Sequence, residues 1–318
     1  MTEAELPFVT FAVLNYNGAD WIREAVQSAF AQDYPHLEIL FSDDCSTDGS
    51  YEMLQEIVAS YKGPRRVRLV QTSRNSYISG NLNRIAEAAA GDLIVKADGD
   101  DISLPHRTSA LVAAWLRGGR KAGLLHSATI RFSGPDNEDF YPNDCLSDLS
   151  SVERVAATKA RAIGATEAFV PEIFSHFGPL RERMVHEDGV LPFRSLLLDR
   201  PVTYVEEPLV RYRQGSGVST MYGARHPLPA ARRLMLSRYL EDTLQRIDDL
   251  EKVDKPHLRP ILERVADRYR AALEFEDGWP RPVALVKWAR SAGLWHVLRM
   301  TAKRARNLVL DRQALLTS

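Results

Sequence analysis

The stretch "GDLIVKADGDDISLP", residues 91–105, decides how the rest of the chain is read. Leu93, Ile94 and Val95 form an apolar run that leads into Asp98, Asp100 and Asp101. Buried strands are normally closed by turn residues rather than by clustered like charge. Carboxylates this close repel one another unless a cation sits among them. Hard divalent cations such as Mg²⁺ and Mn²⁺ take oxygen ligands of this kind, usually with substrate phosphates completing the shell. Gly99 is expected to turn the backbone sharply where the ligands converge. The same residues also satisfy a plain polar turn, in which Asp101 or Ser103 caps a helix opened by Pro105. At this point a metal site at the C-terminal edge of a sheet and a polar turn are both open readings.

The residues on either side place the stretch in a fold. "FVTFAVL", residues 8–14, reads as a strand ending at the turn Asn15-Tyr16-Asn17-Gly18. Ile22, Ala25, Val26, Ala29 and Phe30 recur at helical spacing. "LEILFSDD" is a second strand that enters Asp43-Asp44, and "STDGS" opens a helix running to about Tyr61. "VRLVQ" is a third strand, residues 78–90 a third helix, and the opening stretch the fourth strand. Strands and helices alternating over such short loops predict a parallel sheet flanked by helices. Ligands of such sheets bind at the carboxyl ends of the strands. Tyr16, Asp43-Asp44 and Asp98 to Asp101 are therefore expected on one rim. No Gly-x-Gly-x-x-Gly follows the first strand, so a dinucleotide site has no support.

Further on, residues 106–118 read as a helix and "AGLLHSATIRF" as a strand. Residues 133–150 read as a polar loop, and "EIFSHFGPL" as a short helix ended by Gly178-Pro179. "HEDGVLPFRSLLLD" reads as a helix made irregular by Gly189 and Pro192, with acids suited to its N-terminus. "PVTYVEEPLVRYR" supplies two short strand-like runs before the loop "QGSGVST".

The chain has 318 residues, 45% hydrophobic and 26% charged, an ordinary globular composition with room for one large domain and an appendage. It has no apolar run long enough to span a bilayer and no secretory signal at its N-terminus. Cys45 and Cys145 form no Cys-x-x-Cys pair, which argues against structural zinc and fits free thiols in the cytoplasm. The net charge of −1 conceals an asymmetry: residues 281–318 carry eight Lys or Arg and one acid, +7, which leaves −8 for residues 1–280. From Pro227 the texture becomes charged and helical, with a helical pair over 229–250 and 257–275. The basic segment from about 281 carries Trp288 and Trp295. Its pattern suits an anionic membrane interface, or packing on its own protein or on a second copy in a homo-oligomer. A cytoplasmic protein is expected, peripheral on the inner face of the membrane if the tail binds lipid. Nucleic acid is not expected among its partners.

Four separated motifs resemble the family 2 glycosyltransferases with the GT-A fold. "FAVLNYNGADWIREAVQSAFAQDYPHLEILFSDDCSTDGS" is similar to their N-terminal half, and "KADGDDISLP" resembles their Asp-x-Asp-Asp element. "FGPLRERMVHEDGVLPFR" resembles their Glu-Asp segment, and "EEPLVRYR" their closing strand. The motifs follow in order over about residues 7–220. The resemblance implies an α/β GT-A fold with a mixed, mostly parallel sheet, a catalytic domain over 1–226, and a helical C-terminal region over 227–318.

It also implies roles. The Leu14 backbone and the Tyr16 ring would line the nucleotide base, and Asp44 would accept from a uracil or thymine N3–H. Asp98 and Asp100 would bind the donor, Asp100 and Asp101 would hold Mn²⁺ or Mg²⁺, and Asp188 would be the catalytic base. Glu187 and Glu167 would face the acceptor. Asp43 and Asp48 are expected to be turn residues and His186 a bystander. Arg194 and Arg213 are expected either at the diphosphate or in structural ion pairs. The implied reaction moves a sugar with inversion from a UDP- or dTDP-sugar to a hydroxyl of a glycan or lipid-linked acceptor, in polysaccharide or lipid-linked oligosaccharide assembly. A departure is that the family's His after the closing Tyr-Arg is missing from "YRQGSGVST", which leaves the metal's full ligand set open. The competing class is a non-catalytic sugar-nucleotide-binding or scaffold protein with a degenerate site. Joint retention of Asp44, Asp100, Asp101 and Asp188 speaks against it.

Overall fold

A computed structural model describes residues 6–134, 137–142, 148–182, 184–216 and 228–277, together with Ala289. The first strand, β1 (Val9–Asn15), pairs in parallel with β2 (Leu37–Asp43) on one side and β4 (Leu93–Asp98) on the other. All seven residues of β1 and of β2 are buried, as expected of parallel strands covered on both faces. β3 (Arg66–Gln71) continues the parallel half beyond β2. The helix α1 (Ile22–Phe30) buries Ile22, Ala25, Val26 and Ala29, the stripe legible in its sequence. Two further helices, α2 (Ser50–Ser60) and α3 (Tyr77–Ala88), complete the crossovers.

Beyond β4 the sheet becomes mixed. It continues through β8 (Ala168–Phe169), β6 (Leu124–Phe132), β9 (Val202–Arg213) and β5 (Ile102–Ser103). β8 is antiparallel to both β4 and β6, whereas β6 and β9 run parallel. The sequence suggests two runs for β9; they form one strand. Pro208 interrupts the pattern, and register shifts beside Ala128 of β6 absorb it. Within the stretch read as a loop, β7 (Glu138–Tyr141) pairs with β6.

The remaining helices are α4 (Arg107–Arg117), α5 (Val152–Ala157), α6 (Glu172–Phe177), α7 (Glu187–Leu197), α8 (Leu228–Asp249) and α9 (Arg259–Asp277). The C-terminal helices do not stand apart. Leu250, Leu258 and Leu262 share a core with Val152, Val155, Phe177, Phe193 and Leu197. Arg194, fully buried, makes a bidentate pair with Asp249 at 2.8 and 2.9 Å and also donates to the Gly178 carbonyl. That settles Arg194 as the structural ion-pair partner that ties α7 to α8.

Pro192 lies inside α7 and cannot donate to the carbonyl one turn back, that of Asp188. The Ala162 N–H takes that carbonyl instead, at 3.1 Å. The irregular first turn is thereby fixed to the segment before β8. The basic segment from about residue 281, with Trp288 and Trp295, lies outside the described residues apart from Ala289, as does Cys145.

Candidate active site

The register of the parallel strands builds the rim. Leu14 lies opposite Asp98 and Asn15 opposite Asp43, so the ends of β1, β2 and β4 are level. The Gly99 N–H donates to the Leu14 carbonyl at 2.8 Å. Gly99 does not sit in the left-handed region, where a glycine would be needed for its backbone angles. It is needed because a Cβ there would lie 2.8 Å from the Leu14 oxygen. Tyr16, 41% exposed, stands free at the rim.

Asp43, Asp44 and Asp48 brace loops. Asp43 accepts from Asn15 Nδ2 at 2.7 Å, from Ser46 N and Oγ at 2.9 and 2.6 Å, and from Gln71 Nε2 at 3.1 Å. Asp48 accepts from Ala19 N, Ser50 N and Ser50 Oγ. Both fill the turn roles expected of them. Asp44 is buried, and its Oδ1 accepts from Thr72 Oγ1 at 2.8 Å and from Ser76 N and Oγ at 2.9 and 2.6 Å. It holds the loop that leads into α3.

Asp98, Asp100 and Asp101 are differently placed. The end of β9 returns past them because Ile102 and Ser103 pair with Arg211 and Val210. Asp101 is buried and accepts from the Arg213 N–H at 2.7 Å, yet its Oδ2 has no hydrogen-bond partner. Asp100 accepts from Ser216 Oγ at 2.9 Å, and its own carbonyl accepts from Arg213 Nε at 2.9 Å. Arg213 is further held by Glu24 at 2.8 Å and lies over the Trp21 ring. Burial pushes the Asp101 carboxyl well above the usual carboxylate range, with Asp100 and Asp98 adding to it. Burial and then Asp98 push Asp100 up as well. A buried, unpaired carboxylate oxygen beside like charge fits a cation. Among the described residues no three His, Cys, Asp or Glu side chains already converge on one metal position. Asp100 and Asp101 thus suit a divalent ion that takes its other ligands from phosphate oxygens.

On the other side of Asp98 lies Lys96, passed over in the sequence although a lysine inside the apolar run "LIVKAD" is itself a signal. Lys96 is fully buried, 2.9 Å from Asp98 Oδ1 and 3.1 Å from Glu187 Oε1. Burial opposes its charge, but Asp98, Glu187 and Glu167 outweigh it and raise its pKa. The buried lysine therefore ties the acidic end of β4 to the first turn of α7. Gly164 leaves room for this pair, because a Cβ there would meet Glu187 Oε1 at 2.9 Å and Lys96 Nζ at 3.0 Å.

Glu167, expected on the acceptor wall, is fully buried and presents nothing to solvent. Both its carboxyl oxygens lack partners, and burial pushes its pKa well up, against the pull of Lys96. Its backbone carbonyl accepts from the Lys96 N–H, the consequence of β8 lying beside β4. Glu187 is almost fully buried and pushed up to about 7 by burial, with Lys96 opposing. Asp188 is pushed up by burial, with Arg161 and His186 pulling it down, and its Oδ1 has no partner. His186 is tied to α8: its Nδ1 lies 2.7 Å from Asp242, and its ring stacks on Tyr239.

Comparison with known proteins bears on the family and the fold. Residues 10–140 match the model of glycosyl transferase family 2. The putative glycosyltransferase EpsE of Bacillus subtilis (strain 168) is 34% identical over 107 residues, 34% of this chain and 38% of the relative. The succinoglycan biosynthesis protein ExoO of Rhizobium meliloti (strain 1021) is 38% identical over 193 residues, 61% of this chain and 53% of the relative. The chain spans about half the length of these curated relatives, or less. Among solved structures, S. aureus TarS 1-349 in complex with UDP-GlcNAc shares the fold at a TM-score of 0.60 and 14% identity, over 92% of this chain and 81% of that one. The mannosyltransferase PcManGT from Pyrobaculum calidifontis, in complex with GDP-Man and Mn²⁺, does so at 0.58 and 21%, over 95% and 81%. Residues 10–140 of the chain carry a glycosyl transferase family 2 domain, and the fold is that of GT-A glycosyltransferase structures.

Proposed function

We propose that the chain transfers a sugar, with inversion, from a nucleotide-diphosphate donor to an acceptor hydroxyl. The observation that carries this reading is the pairing of two carboxylate groups across Lys96. Asp98, Asp100 and Asp101 end β4, Glu187 and Asp188 start α7, and one buried ammonium binds both sides. In this reading Leu14, Tyr16 and Asp44 receive the nucleotide, and Asp98 and Asp100 the ribose and diphosphate. Asp100 and Asp101 hold Mn²⁺ or Mg²⁺. Such an ion, when bound, neutralises the charge that develops on the departing diphosphate.

Asp188 takes the proton of the acceptor hydroxyl. Its pKa is raised by burial, which strengthens it as a base, while Arg161 and His186 keep the charged form accessible. A base on the opposite side of the sugar from the diphosphate directs in-line attack and inversion at the anomeric carbon. Glu187, paired with Lys96, positions the turn that carries Asp188.

The names of the relatives, and the nucleotide sugars bound by TarS and PcManGT, support a nucleotide-sugar donor and an acceptor in polysaccharide or lipid-linked oligosaccharide assembly. A UDP- or dTDP-sugar is the donor expected here. Among the described residues no helix is long and apolar enough to cross a membrane. A cytoplasmic site with peripheral contact through the segment from about 281 completes the reading.

The test is a screen of nucleotide sugars for nucleotide release with and without Mn²⁺, on the wild type and on Asp188→Asn. The variant should lose about 10²–10⁴-fold in transfer and keep its donor affinity. Retained transfer removes Asp188 as the base. Normal donor binding without turnover of any donor returns the chain to a binding role.

A further inference from the structure

Next to Asp188 the fold opens a cleft. It is walled by residues 158–161, by His186 and Gly189 at the start of α7, and by α8 and α9. Its lining carries three cations, Lys159, Arg161 and Arg246, against one carboxylate, Asp242. That excess is local, because residues 1–280 sum to −8.

The cations are held in different ways. Arg246 is buried and donates to the carbonyls of Val155 and Gly189 at 2.7 and 2.9 Å, so its hydrogen bonds leave its charge in place. The Lys159 ammonium lies 4.0 Å from the Tyr239 ring centroid and 5.7 Å from that of Tyr269. Among the described residues no carboxylate lies within ion-pair distance of Lys159; its contacts are those two rings. Tyr239 is itself fixed, stacked on His186 at 4.7 Å and on Tyr269 at 5.6 Å. His186 is anchored by Asp242, which uses one oxygen of the only acid in the lining. Arg161 lies in the fields of Asp188, Tyr239 and Asp242. Burial and then Arg161 push the Lys159 ammonium down. Lys159 and Arg161 both line the cleft next to the base, and Lys159 has no carboxylate partner among the described residues.

An ammonium fixed over aromatic rings is already positioned and partly desolvated, so it loses little freedom when an anion arrives. We propose that this cleft is an anion-selective acceptor subsite, in which Lys159 and Arg161 hold a carboxylate or phosphate carried by a saccharide. This rests on the reading of Asp188 as the base, since the cleft places such a group beside it. The binding itself is measured without turnover.

The experiment is isothermal titration of the full chain with four probes. Tetragalacturonate is compared with its fully methyl-esterified form, and mannose 6-phosphate with mannose. At least one charged probe should bind at least about tenfold tighter than its neutral partner. Preference for tetragalacturonate assigns a carboxylate ligand, and preference for mannose 6-phosphate a phosphate. Lys159→Ala, at an exposed position, should remove about tenfold of that affinity with an unchanged far-UV spectrum, and Lys159→Arg should restore most of it. Equal binding of charged and neutral probes overturns the proposal. So does an affinity indifferent to Lys159→Ala, or no binding of either charged probe at about 10 mM. Asp188→Asn should bind the charged probe at least as tightly as the wild type. A wild type that shows this binding but turns over no donor overturns the transferase reading and leaves the anion site standing.

Discussion

Two acidic turns of nearly the same composition end the strands that flank β1 in one sheet, and they are built for opposite purposes. "SDDCSTD" follows β2 and "ADGDD" ends β4. In the first, Asp43, Asp44 and Asp48 are saturated with donors from Ser46, Ser50, Thr72, Gln71 and Ser76. In the second, Asp101 keeps one buried oxygen without a partner, and burial and mutual repulsion push Asp100 and Asp101 up. The same holds across Lys96, where the Glu167 oxygens and Asp188 Oδ1 are also unpartnered. A carboxylate that has found its donors is structure. One held short of them in a buried site retains free energy that a cation or a proton will release. The comparison thus separates residues that shape the rim from residues that act on it.

The sharpest way to break this contrast is to remove the cation that keeps the second group together. Lys96→Met takes a fully buried ammonium from between Asp98 and Glu187 and leaves both acids unpaired. A loss of about 3–5 kcal/mol in urea unfolding is expected at neutral pH. The loss should shrink in acid. The folded-state pKa of Glu187 is above its ordinary value, so the folded protein binds the proton more tightly. Its contribution is fully present below about 4.5 and is lost as pH rises through about 7. Without Lys96 that pKa rises further, and the penalty grows on the alkaline side. A destabilisation equal at pH 5 and pH 8 would show that Lys96 serves by packing alone.

The next test acts on the saturated turn. Asp44→Ala strands the Ser76 N–H and hydroxyl and removes one acceptor of Thr72 Oγ1, and about 1–3 kcal/mol of stability should go with them. The variant also tests the expected contact with the nucleotide base. If stability is unchanged while affinity for UDP falls, Asp44 belongs with the acting residues and the division between the two turns is drawn wrongly.

The division is only half legible in the sequence. The strand ends announce themselves, because apolar runs lead into acids and parallel register then brings them level. The donors do not, since Gln71 reaches Asp43 from the end of β3, and Thr72 and Ser76 reach Asp44 from a loop whose path is set by β3 and α3. Lys96 stands out as a charge in a buried strand, but its second partner, Glu187, comes from a distant helix. β8 has only two residues, and its strand state is imposed by β4 and β6 on either side rather than by its own pattern. The burial of Glu167 is not legible in "GATEAFV" either, where the acid stands in an ordinary polar turn before β8. The partner of Arg194 is hidden in the same way, because Asp249 comes from α8.

The smallest effect expected is the most discriminating, because its sign differs from that of Asp44→Ala. Asp101→Asn keeps an oxygen that can accept from the Arg213 N–H, so the one hydrogen bond of the wild-type side chain survives. It removes a buried charge that has no cation of its own and replaces the partnerless oxygen with an amide that can donate to the neighbouring acids. In metal-free buffer the variant should therefore be more stable than the wild type, by about 1 kcal/mol. Addition of Mn²⁺ with UDP should raise the melting temperature of the wild type and leave that of the variant where it was. Were Asp101→Asn to destabilise the metal-free protein as Asp44→Ala does, the turn after β4 would be structural like the turn after β2, and unpartnered oxygens would no longer mark the acting residues.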